Sequence, residues 1–82
     1  MGIEQFLTNE DKLSSLEKIK KLIAIEIYSL CLRASIDPDE FDYSTYIPPV
    51  NYREIPYLEM LTKQCNSLKI VEQKIQDISN AD

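Results

Sequence analysis

The 82-residue sequence contains no histidine, no tryptophan and one glycine, at position 2. Without histidine there is no Ser-His-Asp or Cys-His arrangement, no imidazole metal ligand and no ordinary proton shuttle near neutral pH. A lone glycine at position 2 excludes glycine-rich phosphate loops and dinucleotide fingerprints. The remaining catalytic vocabulary is carboxylates, tyrosines, lysines and two thiols, and nothing in the spacing marks any acid as one of a working pair. The chain is therefore expected not to be an enzyme, and to carry neither cofactor nor metal.

Cysteine is scarce as well. Cys31 and Cys65 fall far short of the density of small disulfide-stapled secreted domains. They are expected to be reduced thiols of an intracellular, cytoplasmic protein, and their places on apolar helix faces suit small core residues. No basic segment followed by an apolar run opens the chain, and Phe6 stands where an N-myristoylation motif needs Ser or Thr. Long hydrophobic runs are missing too. The most apolar stretch, Leu22 to Leu32, is interrupted by Glu26 and Ser29 and is much shorter than the ~20 residues of a membrane span. No membrane association is expected.

Positive charge is in deficit, with 9 Lys and Arg against 14 Asp and Glu. Neutralising phosphates needs a local surplus of cations, so direct nucleic-acid binding is not expected. The only basic cluster is Lys12, Lys18, Lys20 and Lys21, with Arg33 beyond. At ~100° per residue, Lys18, Lys20 and Lys21 point in different directions and form a solvated collar.

What is present is enough to fold. Ile, Leu, Val and Phe make up 24 of the 82 residues, above the ~20% below which chains cannot bury a core. A chain this short nevertheless buries only about 60% of its unfolded surface, so its core is marginal unless something supplements it.

Residues 1–8 read as an N-terminal arm or short helix with an apolar patch at Ile3, Phe6 and Leu7. Thr8 and Asp11 have the spacing of a capping box, and Leu13, Leu16, Ile19 and Ile23 follow at helical intervals, with Glu17 and Lys21 in the favourable i,i+4 order. This predicts a first helix over 9–36, with Arg33 near its end complementing the helix dipole. Between Leu22 and Leu32 the apolar residues surround the helical wheel, the mark of a helix buried on all sides. A strand is the rival for this run, weakened by helix-forming flanks and the lack of an in-chain partner strand.

Residues 37–55 form a connector holding Pro38, Pro48 and Pro49, Tyr43, Tyr46 and Tyr52, and the acids Asp37, Asp39, Glu40 and Asp42. Irregular connections this long are uncommon unless functional or packed down by their own side chains. Pro56 suits the first turn of a second helix over 56–79, whose apolar residues Leu58, Leu61, Cys65, Leu68, Val71, Ile75 and Ile78 lie on one face; 80–82 is a tail. Asp37 to Asp42 superficially resembles a calcium loop. It lacks the glycine at the sixth position, and Pro48 stands where the bidentate Glu belongs. Ile47 to Tyr52 is stiffened by Pro48 and Pro49, but Tyr52 lies one residue too far for a PPxY ligand and there is no PxxP.

The expected fold is all-α: a helical hairpin of two long antiparallel helices with a long Pro/Tyr-rich acidic connector, dimerising into a four-helix bundle. The second helix can cover only one face of the first, and a second copy packed through the first helices closes the rest. The interface expected from this argument comprises Leu22, Ile23, Ile25, Glu26, Ile27 and Leu30. Glu26, a carboxylate inside the apolar run, is either an edge position or a specificity-setting contact. A larger protein partner is expected at the connector residues Asp39, Glu40, Phe41, Asp42, Tyr43 and Tyr46, where carboxylates alternate with aromatics. The corresponding function is a small acidic interaction module, a regulator, adaptor or assembly factor. The alternative is an acidic inhibitor that mimics nucleic acid in a basic groove.

Overall fold

The computed structural model describes residues 2–80. Two α-helices dominate it, α1 over Asn9–Arg33 and α2 over Leu58–Ser79, with 3-10 turns at Ile3–Phe6 and Tyr52–Glu54. Among the described residues there is no strand. The apolar run from Leu22 to Leu32 lies wholly within α1.

α1 begins where the capping chemistry directs. The Asp11 N–H donates to Thr8 Oγ1 and the Thr8 N–H donates to Asp11 Oδ2, each at 3.1 Å. Two of the backbone donors that helix geometry leaves unpaired are thereby satisfied.

The helix stops at Arg33, short of the 36 expected from sequence, because the chain turns into the left-handed region at Ser35, with φ of 61°. The Ile36 N–H then reaches the Cys31 carbonyl at 2.8 Å and the Ser35 N–H reaches that of Leu32 at 3.3 Å, the paired bonds of a Schellman motif. Glycine usually fills that position, since a Cβ there costs about 1 kcal/mol. Ser35→Gly should accordingly raise stability by about 0.5–1 kcal/mol in thermal or urea unfolding, and Ser35→Ala should not. Equal stability of the two variants would show that Ser35 carries no backbone strain.

α2 begins two residues later than the proline suggests. The Leu58 N–H bonds the Ile55 carbonyl at 3.2 Å, and Tyr57 has φ 70° and ψ −17°, so Pro56 and Tyr57 occupy the corner of a type II turn that delivers the chain into α2. A side chain again occupies a place that glycine favours.

The helices pack side by side. Lys20 of α1 pairs with Glu72 of α2, while nearer the start of α1 Lys12 and Leu16 share a groove with Lys74, Asp77 and Ile78. Rising positions on α1 thus meet falling positions on α2, the arrangement of a helical hairpin. The Cα radius of gyration is 15.1 Å and the extents are 42 × 26 × 18 Å. A compact chain of this length would have a radius near 12 Å, so the molecule is elongated.

The core sits at one end of that length. Ile27, Leu30 and Cys31 of α1 interlock with Leu58, Leu61, Cys65 and Leu68 of α2, and Phe41, Tyr43, Tyr46, Tyr52 and Ile55 of the connector close over them. The connector is therefore a packed third layer at the end where it joins the helices. At the opposite end Ile3, Phe6 and Leu7 stay exposed, so the N-terminal arm covers little of α1.

Candidate interaction surfaces

Two sets of residues were expected to meet partners, and the structure divides both. On α1, Ile27 and Leu30 are buried inside the chain's own core and Ile23 packs against it. Glu26 is partly buried and stands on the flank. Leu22 and Ile25 point the other way, 66% and 56% exposed, joined by Leu32 at 56%, while Tyr28, 54% exposed, stands at the edge of this face and lines a recess with Leu68 and Glu72 of α2. The helix is thus apolar all round but buried by its own chain on one side only. Its outer face carries Leu22, Ile25 and Leu32 in solvent, with Tyr28 at its edge. Tyr28 and Leu32 escape the sequence argument because they are indistinguishable there from the buried residues around them.

In the connector, Phe41, Tyr43 and Tyr46 turn inward while Asp39, Glu40 and Asp42 remain exposed. The Phe41 and Tyr46 rings lie 5.2 Å apart in a tilted arrangement, a favourable geometry for aromatic quadrupoles. Two of the acids are occupied locally. Asp37 Oδ1 accepts the Asp39 N–H, and Asp42 Oδ1 accepts both the backbone N–H and the hydroxyl of Ser44. These are Asx turns, which shape the loop by mimicking a backbone turn. The Ser44 bonds also hold the Asp42 carboxyl below the usual range, because they favour its charged form. Beyond them Ile47 and Val50 stand almost fully in solvent beside Pro48 and Pro49.

Besides a 3.5 Å contact from Thr62 Oγ1 to Tyr46 Oη, one polar contact ties the connector to the helices, and no sequence signal announces it. Tyr43 Oη donates to Glu72 Oε2 across 29 positions, and the other Glu72 oxygen faces Lys20 Nζ at 3.7 Å. This trio rims an apolar recess of about 280 Å³, whose lining includes Ala24, Ile27, Cys31, Pro38 and Phe41. The Lys20 pair is half-exposed and contributes little; the phenol bond is better shielded.

Donation to Glu72 is the main reason the Tyr43 phenol is pushed up to about 12, with burial and the Glu72 and Asp42 charges adding to it. A pKa raised on folding contributes stability below the unfolded value near 10 and loses it as pH rises through 12. Burial likewise pushes the Cys31 thiol up, and the Cys65 thiol to about 11, so both act in the same direction. Stability from these groups should hold up to about pH 9 and then fall. Tyr43→Phe should cost about 1 kcal/mol at neutral pH and flatten the part of that fall between pH 10 and 12. An unchanged alkaline profile in the variant would rule out the Tyr43–Glu72 bond as its source.

Among the described residues no three metal-ligating side chains come together, and no helix is long and apolar enough to cross a membrane. No protein-family model, curated protein or solved structure matches the chain. Its functional reading rests on its own surfaces.

Proposed function

We propose that this protein is a small acidic interaction module, a regulator, adaptor or assembly factor, that dimerises through the outer face of α1 and presents its connector to a larger protein partner. The observation that carries the reading is the exposure of Leu22, Ile25 and Leu32 on the side of α1 opposite its buried residues, with Tyr28 exposed at the edge of that face beside the recess. Leaving four large apolar side chains in water forgoes several kcal/mol that a covering surface would recover. A second copy is the covering surface always available to the chain.

Because that face lies opposite α2, the four helices of the dimer stand in a row, α2–α1–α1–α2, in place of a square bundle. Ile23, Ile27 and Leu30 serve the hairpin core, and Leu22 and Ile25 serve the contact between copies. The connector offers the larger partner Asp39, Glu40 and Asp42 with Ile47 and Val50 beside them, on a stretch stiffened by two prolines. Nucleic-acid mimicry fits less well, since apart from Asp37, Asp39, Glu40 and Asp42 the acids are scattered along the chain. Two buried free thiols with raised pKa values suit a reducing, intracellular setting.

The test is a solution mass by sedimentation or light scattering at tens of micromolar. The expected result is twice the 9.5 kDa of one chain. A mass of one chain would overturn the dimer.

A further inference from the structure

The recess between α1, α2 and the connector is distinguished by what lines it. On α1, Lys20, Ala24 and Tyr28 succeed one another every four residues and form one ridge along the helix. Leu68 and Glu72 share the same spacing on α2, and Phe41 and Tyr43 come from the connector. Ala24 leaves room. A methyl group stands where its neighbours on the ridge are long, beside a space of about 280 Å³, at the small end of the range for ligand pockets. Three aromatic side chains, Tyr28, Phe41 and Tyr43, line this space together with one carboxylate, Glu72.

The charged groups at the rim decide what such a space can hold, and they are not held alike. Glu72 is fixed, because the Tyr43 hydroxyl donates to its Oε2. Lys20 is not. Its Nζ stands 3.7 Å from Glu72 Oε1 on a side chain 42% exposed, beyond hydrogen-bond distance. Lys20 and Glu72 also border a second groove with Gln76, Ser79 and Asn80, so the ammonium keeps polar neighbours when it turns away from the carboxylate. The fixed charge of the recess is therefore negative. An anion would meet Glu72 with only a mobile lysine to offset it, whereas aromatic rings attract cations through their faces. An ordinary amine, bearing N–H donors, needs acceptors that apolar walls withhold. A quaternary ammonium needs none, since its charge lies beneath methyl groups that suit an apolar wall.

We infer that this recess binds a quaternary ammonium group, its methyl groups against Tyr28, Phe41 and Tyr43 and its charge towards Glu72. Two sources share that chemistry, a small choline-like molecule and the trimethylated lysine side chain of a protein. Lys20 is the competitor at the mouth, so binding displaces it from Glu72. The site is built within one hairpin and does not depend on the dimer.

Titration of the full chain followed by amide NMR shifts tests the site with choline, with the neutral alcohol in which carbon replaces the choline nitrogen, with acetylated and amidated trimethyllysine, and with benzoate. Choline or the trimethyllysine is expected to bind at least about fivefold more tightly than the neutral alcohol, with shifts centred on Ala24, Ile27 and Leu68. The tighter of the two names the source, a small molecule if choline leads and a partner protein if the lysine leads. Equal or tighter binding of the alcohol or of benzoate overturns the inference. So do shifts confined to the connector acids Asp39, Glu40 and Asp42, or no binding at all. Substitutions then locate the group. Ala24→Leu, at an exposed position, should fill the recess and abolish binding, and Tyr28→Leu should weaken the ammonium by about threefold while leaving the alcohol unchanged. Lys20→Gln should strengthen binding by removing the competing cation. Glu72→Gln keeps an acceptor for the Tyr43 hydroxyl and should erase the preference for the charged probe over the neutral one. Full choline affinity in either Ala24→Leu or Glu72→Gln overturns the site.

Discussion

Leu61→Ala is expected to destabilise the protein by about 3 kcal/mol. Leu61 has 0% of its surface exposed and lies in the cluster formed with Ile27, Leu30, Cys31, Leu58, Cys65 and Leu68. Removing its branched end forfeits the transfer free energy of three carbons and leaves a void that the neighbours fill only in part. An 82-residue domain has a total stability of roughly 4–12 kcal/mol, so the variant should lose a quarter or more of it. Urea unfolding followed by circular dichroism would show the midpoint falling with little change in slope. A loss below about 1 kcal/mol would mean that the core does not close around Leu61.

Ile25→Glu is expected to have the opposite signature, a large effect on assembly with almost none on the fold. Ile25 is 56% exposed on the outer face of α1, so a carboxylate there meets water in the single chain and changes its intrinsic stability by no more than about 0.5 kcal/mol. Across a dimer interface the same substitution buries two like charges against each other, several kcal/mol against association. The mass in solution should drop to one chain while the helical signal at high dilution matches the parent. A variant that keeps a two-chain mass would show that the copies meet elsewhere.

The two substitutions also mark what the sequence could and could not convey. The start of α1 was legible because a capping box is a local device, written in Thr8 and Asp11 and formed by their own backbone. The one-sided face of α2 was legible for a similar reason. Its apolar residues recur on one side of the wheel, and Leu58, Leu61, Cys65, Leu68 and Val71 are the buried ones. α1 was harder to divide. Where the wheel is apolar all round, periodicity identifies a helix but cannot say which residues face its own chain, and Ile27 and Leu30 look the same in sequence as Ile25 and Leu32.

Helix ends were misjudged for a different reason. Ser35 and Tyr57 take left-handed backbone angles that sequence rules assign to glycine, and a chain with one glycine gives no warning of where they fall. The bond from Tyr43 to Glu72 spans 29 positions and follows from the path of the connector, which no local pattern encodes. The aromatic residues of the connector were recognised as a set, but their direction was not. Phe41, Tyr43 and Tyr46 close the core, and the outward surface falls to the acids and to Ile47 and Val50.

The asymmetry of that core has a dynamic counterpart. Its buried α1 residues are Ile27, Leu30 and Cys31, all in the last two turns of the helix, and the connector packs over the same end. The start of α1 and the end of α2 have only partly buried side chains such as Leu13, Leu16, Ile75 and Ile78 between them. Local opening costs least where few apolar contacts must be broken. The two helices should therefore separate from their free ends inward, like a split stem held at its base, and their amides should exchange with solvent in that order while the base stays closed.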